Sequence, residues 1–390
     1  QGYSSAASDV YKRQIIDHQV IERMLGVYEN VFPYHNDVVI FSLTTDFKHL
    51  RKYKECPVIL RNQGRKEGKV FDFSSYTHII AHYLTMDMID FIKSAPIDVH
   101  VCWEVYGADL YNQFLEPNGF KLYYTDPVRY DKYRVFRRYL PYLFKLALEV
   151  KGYKYQFNFQ INKQFKYISH RINSIQHCCY YDAALIEQYA SRKIYSYEVF
   201  NYSLSEVLGK LKDTPFFDGD TIMVGNSASY SNNHLYVLNF LKRMDLKDEL
   251  RFTLVLSYGG SKQYVSEVEN AYKSSFPQKV EVLTSYLPLQ VYNQIFLKVR
   301  SMIMSAWRQE SIGTIIMGFY LGVKVFMSER SPLYKWFVDC GFNVFAIETA
   351  KEEDLDTPLS IKDKQRNREI VLERYNEERI ARSLKENIVD

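Results

Sequence analysis

The sequence predicts an α/β protein of two doubly wound domains, each a largely parallel sheet with helices on its faces. Three observations carry that reading. The chain has 390 residues, enough for two domains at roughly 100–200 residues each. Between residues 221 and 347, short apolar runs alternate with helix-period segments, the pattern of a doubly wound sheet. Apolar residues make up 47% and aromatics 16%, with 34 Tyr and 25 Phe, a composition that argues against disorder.

The elements follow in order. Residues 1–14, QGYSSAASDVYKRQ, are Ser/Ala-rich and lack the apolar core of a secretory signal. The run SDVYKRQ resembles translated adapter sequence at the ends of assembled reading frames, so 1–14 are read as a non-native tail outside the fold. Val20, Ile21, Met24, Leu25, Tyr28, Val31 and Phe32 recur at helical spacing, which predicts an amphipathic helix over 16–32. A buried strand over 38–43 follows. An α/β domain usually opens with a strand, so the native first strand is expected to be missing. Strands are predicted over 58–60, 77–81 and 97–103, with a helix over 85–94 and another over 110–115. In the second half, strands are predicted over 221–224, 252–257, 280–283, 301–305, 323–327 and 343–347. Helices over 233–243, 262–275, 288–298, 313–321 and 331–340 separate them. The partition is a tail (1–14), an N-terminal domain (15–210), a C-terminal domain (211–350) and a charged terminal helix (351–390) packing back across both.

Several classes are set aside by what is missing. No run of about 18 apolar residues marks a spanning helix. The formal net charge is only +4, so no global polyanion binder is announced. The five Cys are odd in number with no C-x-x-C pair, which argues against a disulfide framework or zinc ribbon and for a reducing cytoplasm. Neither G-x-G-x-x-G nor G-x-x-x-x-G-K-[ST] occurs at a strand end, so neither a dehydrogenase nor a nucleoside triphosphatase is indicated. Asp218-Gly219-Asp220 has the look of a D-x-D metal motif but precedes a strand and reads as a turn. No His/Cys/Asp group has metal-ligand spacing. Residues 121–177 stand out, with 12 Lys/Arg against three Asp/Glu and 14 Tyr/Phe interleaved. Such a segment could stack on nucleic acid, lie against anionic lipid headgroups, or be a solvated face over core aromatics.

Ligands of doubly wound sheets bind at the carboxyl ends of strands, which narrows the candidates. Gly225, Asn226 and Ser227 follow the first strand of the second half, where Gly lets backbone approach a ligand and a following helix start attracts phosphate. Arg308, Glu310, Gly313 and Thr314 lie between a later strand and its helix, a diphosphate cradle of fixed charge and helix N-terminus. Tyr258 follows the strand over 252–257 and stands at the same end. In the first half, His82 and Asp109 follow strands. Each is a candidate general base, with Asp109 preferred and Glu104 nearby.

The same residues resemble a known family. Cys102-Trp103-Glu104-Val105-Tyr106-Gly107-Ala108-Asp109-Leu110-Tyr111 is similar to its W-x-x-W-G-A-D-L-Y segment. Val224-Gly225-Asn226-Ser227 with Ser231-Asn232-Asn233-His234 is similar to V-G-N-S…S-N-x-H. Arg308-Gln309-Glu310-Ser311-Ile312-Gly313-Thr314 is similar to R-Q-x-x-I-G-T, and Ala81-His82 matches a histidine after an early strand. The family is the TDP-N-acetylfucosamine:lipid II N-acetylfucosaminyltransferases, or 4-acetamido-4,6-dideoxy-D-galactose transferases, glycosyltransferase family 56. The resemblance covers about residues 76–345 with the order kept.

It implies a GT-B enzyme whose two Rossmann-like domains face a central cleft and close over the donor. No metal or other cofactor is required. An amino-deoxy sugar passes from a TDP donor to an undecaprenyl-diphosphate-linked saccharide, as in synthesis of enterobacterial common antigen. The setting implied is the cytoplasmic face of the bacterial inner membrane, with peripheral contact through the basic aromatic segment 121–177, and no nucleic acid. Departures are also visible. Tyr106 replaces the second Trp, Glu104 stands where a His is expected, and Gly318 stands where many such enzymes place a Glu for the donor ribose. Alternatives are a GT-B transferase of another nucleotide sugar in capsule or O-antigen assembly, or a non-catalytic nucleotide-sugar-binding subunit.

Overall fold

The computed structural model describes residues 11–15, 19–42, 45–47, 50, 56–60, 72–130, 158–200, 202–285 and 287–388. The chain divides into two units: 1–120, 149–203 and 375–390 form the first, and 121–148 with 204–374 form the second.

In the first unit β1 (Tyr11–Ile15), α1 (Gln19–Val31), β2 (Asn36–Ser42), β3 (Val58–Leu60), β4 (His78–His82), α2 (Met86–Ile92) and β5 (His100–Glu104) come in turn. Then follow α3 (Ala108–Leu110), prolonged by a π-turn over Tyr111–Leu115, α4 (Asn158–Arg171), β6 (Ser174–His177), α5 (Tyr180–Ala190) and β7 (Tyr195–Glu198). The seven strands lie in the order β3-β2-β1-β4-β5-β6-β7, every pair parallel.

The second unit carries α6 (Leu204–Leu208), β8 (Thr221–Val224), α7 (His234–Leu241), β9 (Arg251–Val255), α8 (Lys262–Ser275), β10 (Val280–Leu283) and α9 (Leu289–Ile295). These are followed by β11 (Val299–Met304), α10 (Ile312–Leu321), β12 (Lys324–Met327), α11 (Pro332–Asp339), β13 (Val344–Ala346), α12 (Glu352–Asp356) and α13 (Ile361–Arg374). Its sheet runs β10-β9-β8-β11-β12-β13, again all parallel. Parallel strands covered on both faces read as unbroken apolar runs, and β4, β8 and β12 are buried along their whole length.

The structure corrects four expectations. The first unit opens with a strand: Tyr11–Ile15 pair with β2 on one side and β4 on the other. Residues 11–14 thus lie within the sheet and not outside the fold, in the place where the first strand was expected to be missing, while residues 1–10 lie outside the described residues. A ladder is built from backbone groups, and YKRQI supplies them although Lys and Arg hide it from hydropathy. The strand expected from Ile97 begins at His100, because Ile97 stands exposed in the turn before it. The terminal segment is not one helix. It breaks at Tyr375-Asn376, where the Asn376 side chain accepts the Arg379 N–H at 2.8 Å. Then α14 (Glu377–Ile388) joins the first unit, whereas α13 packs on α10 in the second.

The basic aromatic segment is also split. Residues 121–130 belong to the second unit, where Tyr130 stacks on Tyr230 with ring centroids 5.7 Å apart and meets the Tyr264 edge at 5.0 Å. Residues 131–157 lie outside the described residues. Residues 158–177 form α4 and β6 of the first unit, with Phe165 buried and stacked on Phe114 at 4.7 Å. Tyr130 and Phe165 are thus core, as the plainer reading allowed. The D-x-D pair lies in irregular chain with a bend just before β8: the Asp218 carboxylate is 2.5 Å from buried Lys364 Nζ, and Asp220 accepts the Thr221 hydroxyl at 2.9 Å.

Candidate functional site

In the second unit β8 and β11 are neighbours, with Val224 opposite Ile303, and the chain leaves them toward opposite edges of the sheet. Such a switch point opens a crevice beyond the carboxyl ends. Gly225 sits at its floor, donating its N–H to the Ile303 carbonyl at 3.0 Å. Its φ of 67° favours glycine, and an added Cβ would lie 2.7 Å from His234 Nε2, so no larger residue fits. The Asn226 N–H donates to Asn232 Oδ1 at 3.3 Å, and Asn226 Nδ2 donates to the Tyr258 hydroxyl at 3.3 Å. Ser227 Oγ accepts from Asn232 Nδ2 at 3.1 Å and from the Ser229 N–H at 3.2 Å. The Ala228 N–H reaches the Tyr258 carbonyl at 2.6 Å. The loops after β8 and β9 therefore interlock, bringing Gly225, Asn226, Ser227 and Tyr258 together.

The loop after β11 supplies the charge. Arg308 is only 8% exposed. Its Nη2 lies 3.1 Å from Glu310 Oε2, and the same oxygen accepts the Ser231 hydroxyl at 2.5 Å. Its Nη1 donates to the Gln309 carbonyl at 3.1 Å. Gly313 and Thr314 occupy the first turn of α10. That helix is entered through Ser311 in the left-handed region (φ 65°) without a side-chain cap. The helix after β8, α7, is entered in the same way through Asn233 (φ 51°). Helices begun so leave first-turn N–H groups for an outside acceptor.

One chemical signature sets this end of the sheet apart. Arg308 Nε, His234 Nε2, Ser311 Oγ, Asn226 Oδ1 and Gln309 Oε1 are all buried without a hydrogen-bond partner. Buried polar groups are normally paired, so their concentration around two uncapped helix starts marks a place built for a polar, anionic ligand. Ser231 and His234 came into the sequence analysis only inside a motif. Nothing in their spacing announced that both would return to the crevice.

The first unit gathers a second group at the ends of β4 and β5. His82 and Glu104 are both fully buried, with Nδ1 2.6 Å from Oε2. The Tyr28 hydroxyl lies 3.0 Å from Glu104 Oε2 and 2.6 Å from Gln176 Oε1. The Tyr106 hydroxyl, in the position of the missing Trp, lies 3.5 Å from His82 Nδ1. A carboxylate holding Nδ1–H orients an imidazole and leaves Nε2 as the basic nitrogen. Tyr28 and Gln176 carried no sequence signal: one read as a core position of α1, the other lay in an element not foreseen.

Asp109, the first-choice base, is placed differently. It is 1% exposed, its Oδ2 accepts from Trp103 Nε1 at 2.8 Å and the Leu84 N–H at 3.2 Å, and its Oδ1 accepts from the Tyr106 N–H at 3.0 Å. This is a clamp that ties the turn after β5 to the turn after β4. Burial raises its pKa to about 6, against the opposing effect of those donors. A group whose folded pKa lies above its unfolded value adds stability in full below that unfolded value and loses it as pH rises through the folded one. Asp109→Asn is therefore expected to unfold more readily than the parent, with a gap wider at pH 4.5 than at pH 7 by on the order of 2 kcal/mol. Urea unfolding at the two pH values measures it, and a pH-independent gap would remove the titrating clamp.

Comparison with known proteins fits this arrangement. The profile of the family described as 4-alpha-L-fucosyltransferase, glycosyl transferase group 56, matches residues 146–369. Among solved structures, the Anabaena protein HepE in complex with UDP is similar over 97% of this chain and 100% of its own, at 11% identity and a TM-score of 0.63. A sucrose-phosphate synthase from Thermosynechococcus elongatus gives 10% identity and a TM-score of 0.61 over 97% and 98% of the two chains. An α,α-trehalose 6-phosphate synthase from Burkholderia multivorans gives 9% identity and 0.58 over 98% and 97%. At such identities the likeness is one of fold, that of the GT-B glycosyltransferases. With the family match spanning more than half of its length, the chain belongs to glycosyltransferase group 56 and is a GT-B glycosyltransferase.

Proposed function

We propose that this enzyme transfers 4-acetamido-4,6-dideoxygalactose from a TDP donor to an undecaprenyl-diphosphate-linked saccharide in cell-surface polysaccharide synthesis. The observation that carries the donor half is the crevice in the second unit, with buried Arg308 and unpartnered polar atoms beside two uncapped helix starts. Arg308 and the N–H groups of the α7 and α10 starts take the diphosphate, and the Gly225–Ser227 turn lets it approach the backbone. As the glycosidic bond to the diphosphate breaks, these donors hold the charge on the departing TDP with no metal. Glu310, which neutralises Arg308 in the free protein, gives way to the diphosphate. Tyr258 and the loop after β9 flank the nucleoside.

For the acceptor half the base role passes from Asp109 to His82. Its Nδ1 is held by Glu104, so Nε2 takes the proton of the attacking hydroxyl and Glu104 stabilises the resulting imidazolium. Asp109 holds the turn that carries Tyr106. Among the described residues no helix is long and apolar enough to cross a membrane. The lipid-linked acceptor is reached by peripheral contact at the inner membrane through the basic aromatic segment, in which Lys163 and Lys166 of α4 are exposed.

A second reading keeps the chemistry and changes the donor, since HepE is described with UDP and UDP-glucose. Turnover of a panel of TDP- and UDP-sugars with a lipid-linked acceptor separates the two. A preference for UDP-sugars would overturn the TDP assignment, and no turnover of any would favour a binding subunit. Arg308→Ala is expected to weaken binding of the preferred nucleotide sugar by about 10–100-fold, the range of a lost charge-assisted hydrogen bond, with an unchanged circular dichroism spectrum. Titration calorimetry reads it, and parental affinity would take Arg308 out of the site. His82→Ala should lower kcat by about 100-fold or more while donor affinity stays at the parental value; near-normal kcat would reject the base. Lys163→Glu with Lys166→Glu should reduce sedimentation with anionic phospholipid vesicles, and equal sedimentation would refute that contact.

A further inference from the structure

His234 is the best-defined polar group at the crevice that the donor reading leaves without a task. It opens α7, is 0% exposed, and burial pushes its pKa down to about 3, so its imidazole is uncharged at neutral pH. Two tyrosines of α8 hold it. The Tyr272 hydroxyl donates to the His234 carbonyl at 2.9 Å, and the Tyr264 hydroxyl lies 3.0 Å from Nδ1.

Tyr264 bears on which ring nitrogen carries the proton. Its hydroxyl, 3.0 Å from Nδ1, can donate there, and a neutral imidazole with Nδ1 as acceptor carries its hydrogen on Nε2. Nε2 is buried with no hydrogen-bond partner. Its direction is known from Gly225, where an added Cβ would lie 2.7 Å from Nε2. The imidazole thus fills the space that a side chain at Gly225 would take, directly under the turn that the donor reading assigns to the diphosphate.

We propose that His234 supplies an Nε2–H donor to a phosphate oxygen of the bound nucleoside diphosphate, reaching past the side-chain-free face of Gly225. The proposal rests on the donor reading above. It adds an uncharged donor to the charged Arg308 guanidinium, with the Tyr264 hydroxyl at its Nδ1. Binding the diphosphate would satisfy a donor that the free protein leaves unpaired, which favours the occupied state.

The test uses the full chain with TDP and TDP-glucose as probes. Calorimetry is expected to show affinity reduced about tenfold or more in His234→Ala and restored to within about threefold in His234→Gln, whose amide N–H reaches the place of Nε2. In the wild-type protein, long-range ¹H–¹⁵N spectra should show the Nε2–H tautomer, with the Nε2 resonance moving as TDP is added. Parental affinity in His234→Ala, or an Nε2 resonance unmoved at saturating TDP, would overturn the proposal. The wild-type spectra decide it even where the alanine variant fails to fold. Weakened binding in Arg308→Ala but not in His234→Ala removes His234 alone. Failure of the wild-type protein to bind either probe removes the donor reading and this inference with it.

Discussion

Everything at the candidate site depends on the parallel pairing of β8 with β11. Both strands are buried, their register puts Val224 against Ile303, and the connections that leave them part company. That divergence holds two loops at one end of the sheet with room between them. The Gly225 N–H bonded to the Ile303 carbonyl is the last rung of the ladder and the first atom of the crevice. A shift of register would move the turn away from Arg308 and turn buried side chains to the wrong face.

The crevice is expensive to keep in the free protein. Left-handed residues at the starts of α7 and α10, a guanidinium at 8% exposure and several unpaired buried polar atoms each cost free energy; strained backbone and unsatisfied groups of this kind concentrate where a ligand will be bound. The Arg308–Glu310–Ser231 contact shows how the charge is borne: a carboxylate sits beside Arg308. The first unit handles its polar group differently. There His82, Glu104, Tyr28 and Gln176 bond to one another, and Asp109 spends its oxygens on backbone and indole donors. His82 and Glu104 are thus a buried pair, and Asp109 a clamp beside it.

Much of this was legible in the residues. The βα alternation after residue 221 located all six strands of the second sheet to within a few positions, because strands buried on both faces and helices with one apolar face have unlike periods. The loops after β8 and β11 were legible because a doubly wound sheet puts its ligand at strand ends, and their residue types suit a diphosphate. The first sheet was harder. β1 carries Lys and Arg, β6 ends a basic, aromatic segment whose composition speaks of surface, and β7 follows it. Their places in the sheet come from ladder pairing, which composition does not report.

By itself the sequence determined the family, the parallel sheet of the second unit and the loops at its strand ends. These follow from local pattern and from side chains whose chemistry is stated by their type. The tertiary structure alone decided how those side chains are employed. Asp109 and His82 both follow strands and both could serve as a base. Only the packing shows that Asp109 is taken up by three N–H donors while His82 is backed by Glu104, 22 residues further along the chain. His234 is placed the same way, by burial, by the Tyr264 hydroxyl at Nδ1 and by the missing side chain of Gly225. Burial and hydrogen-bond partnership are properties of contacts between distant segments, and they decide which of two like residues carries the chemistry.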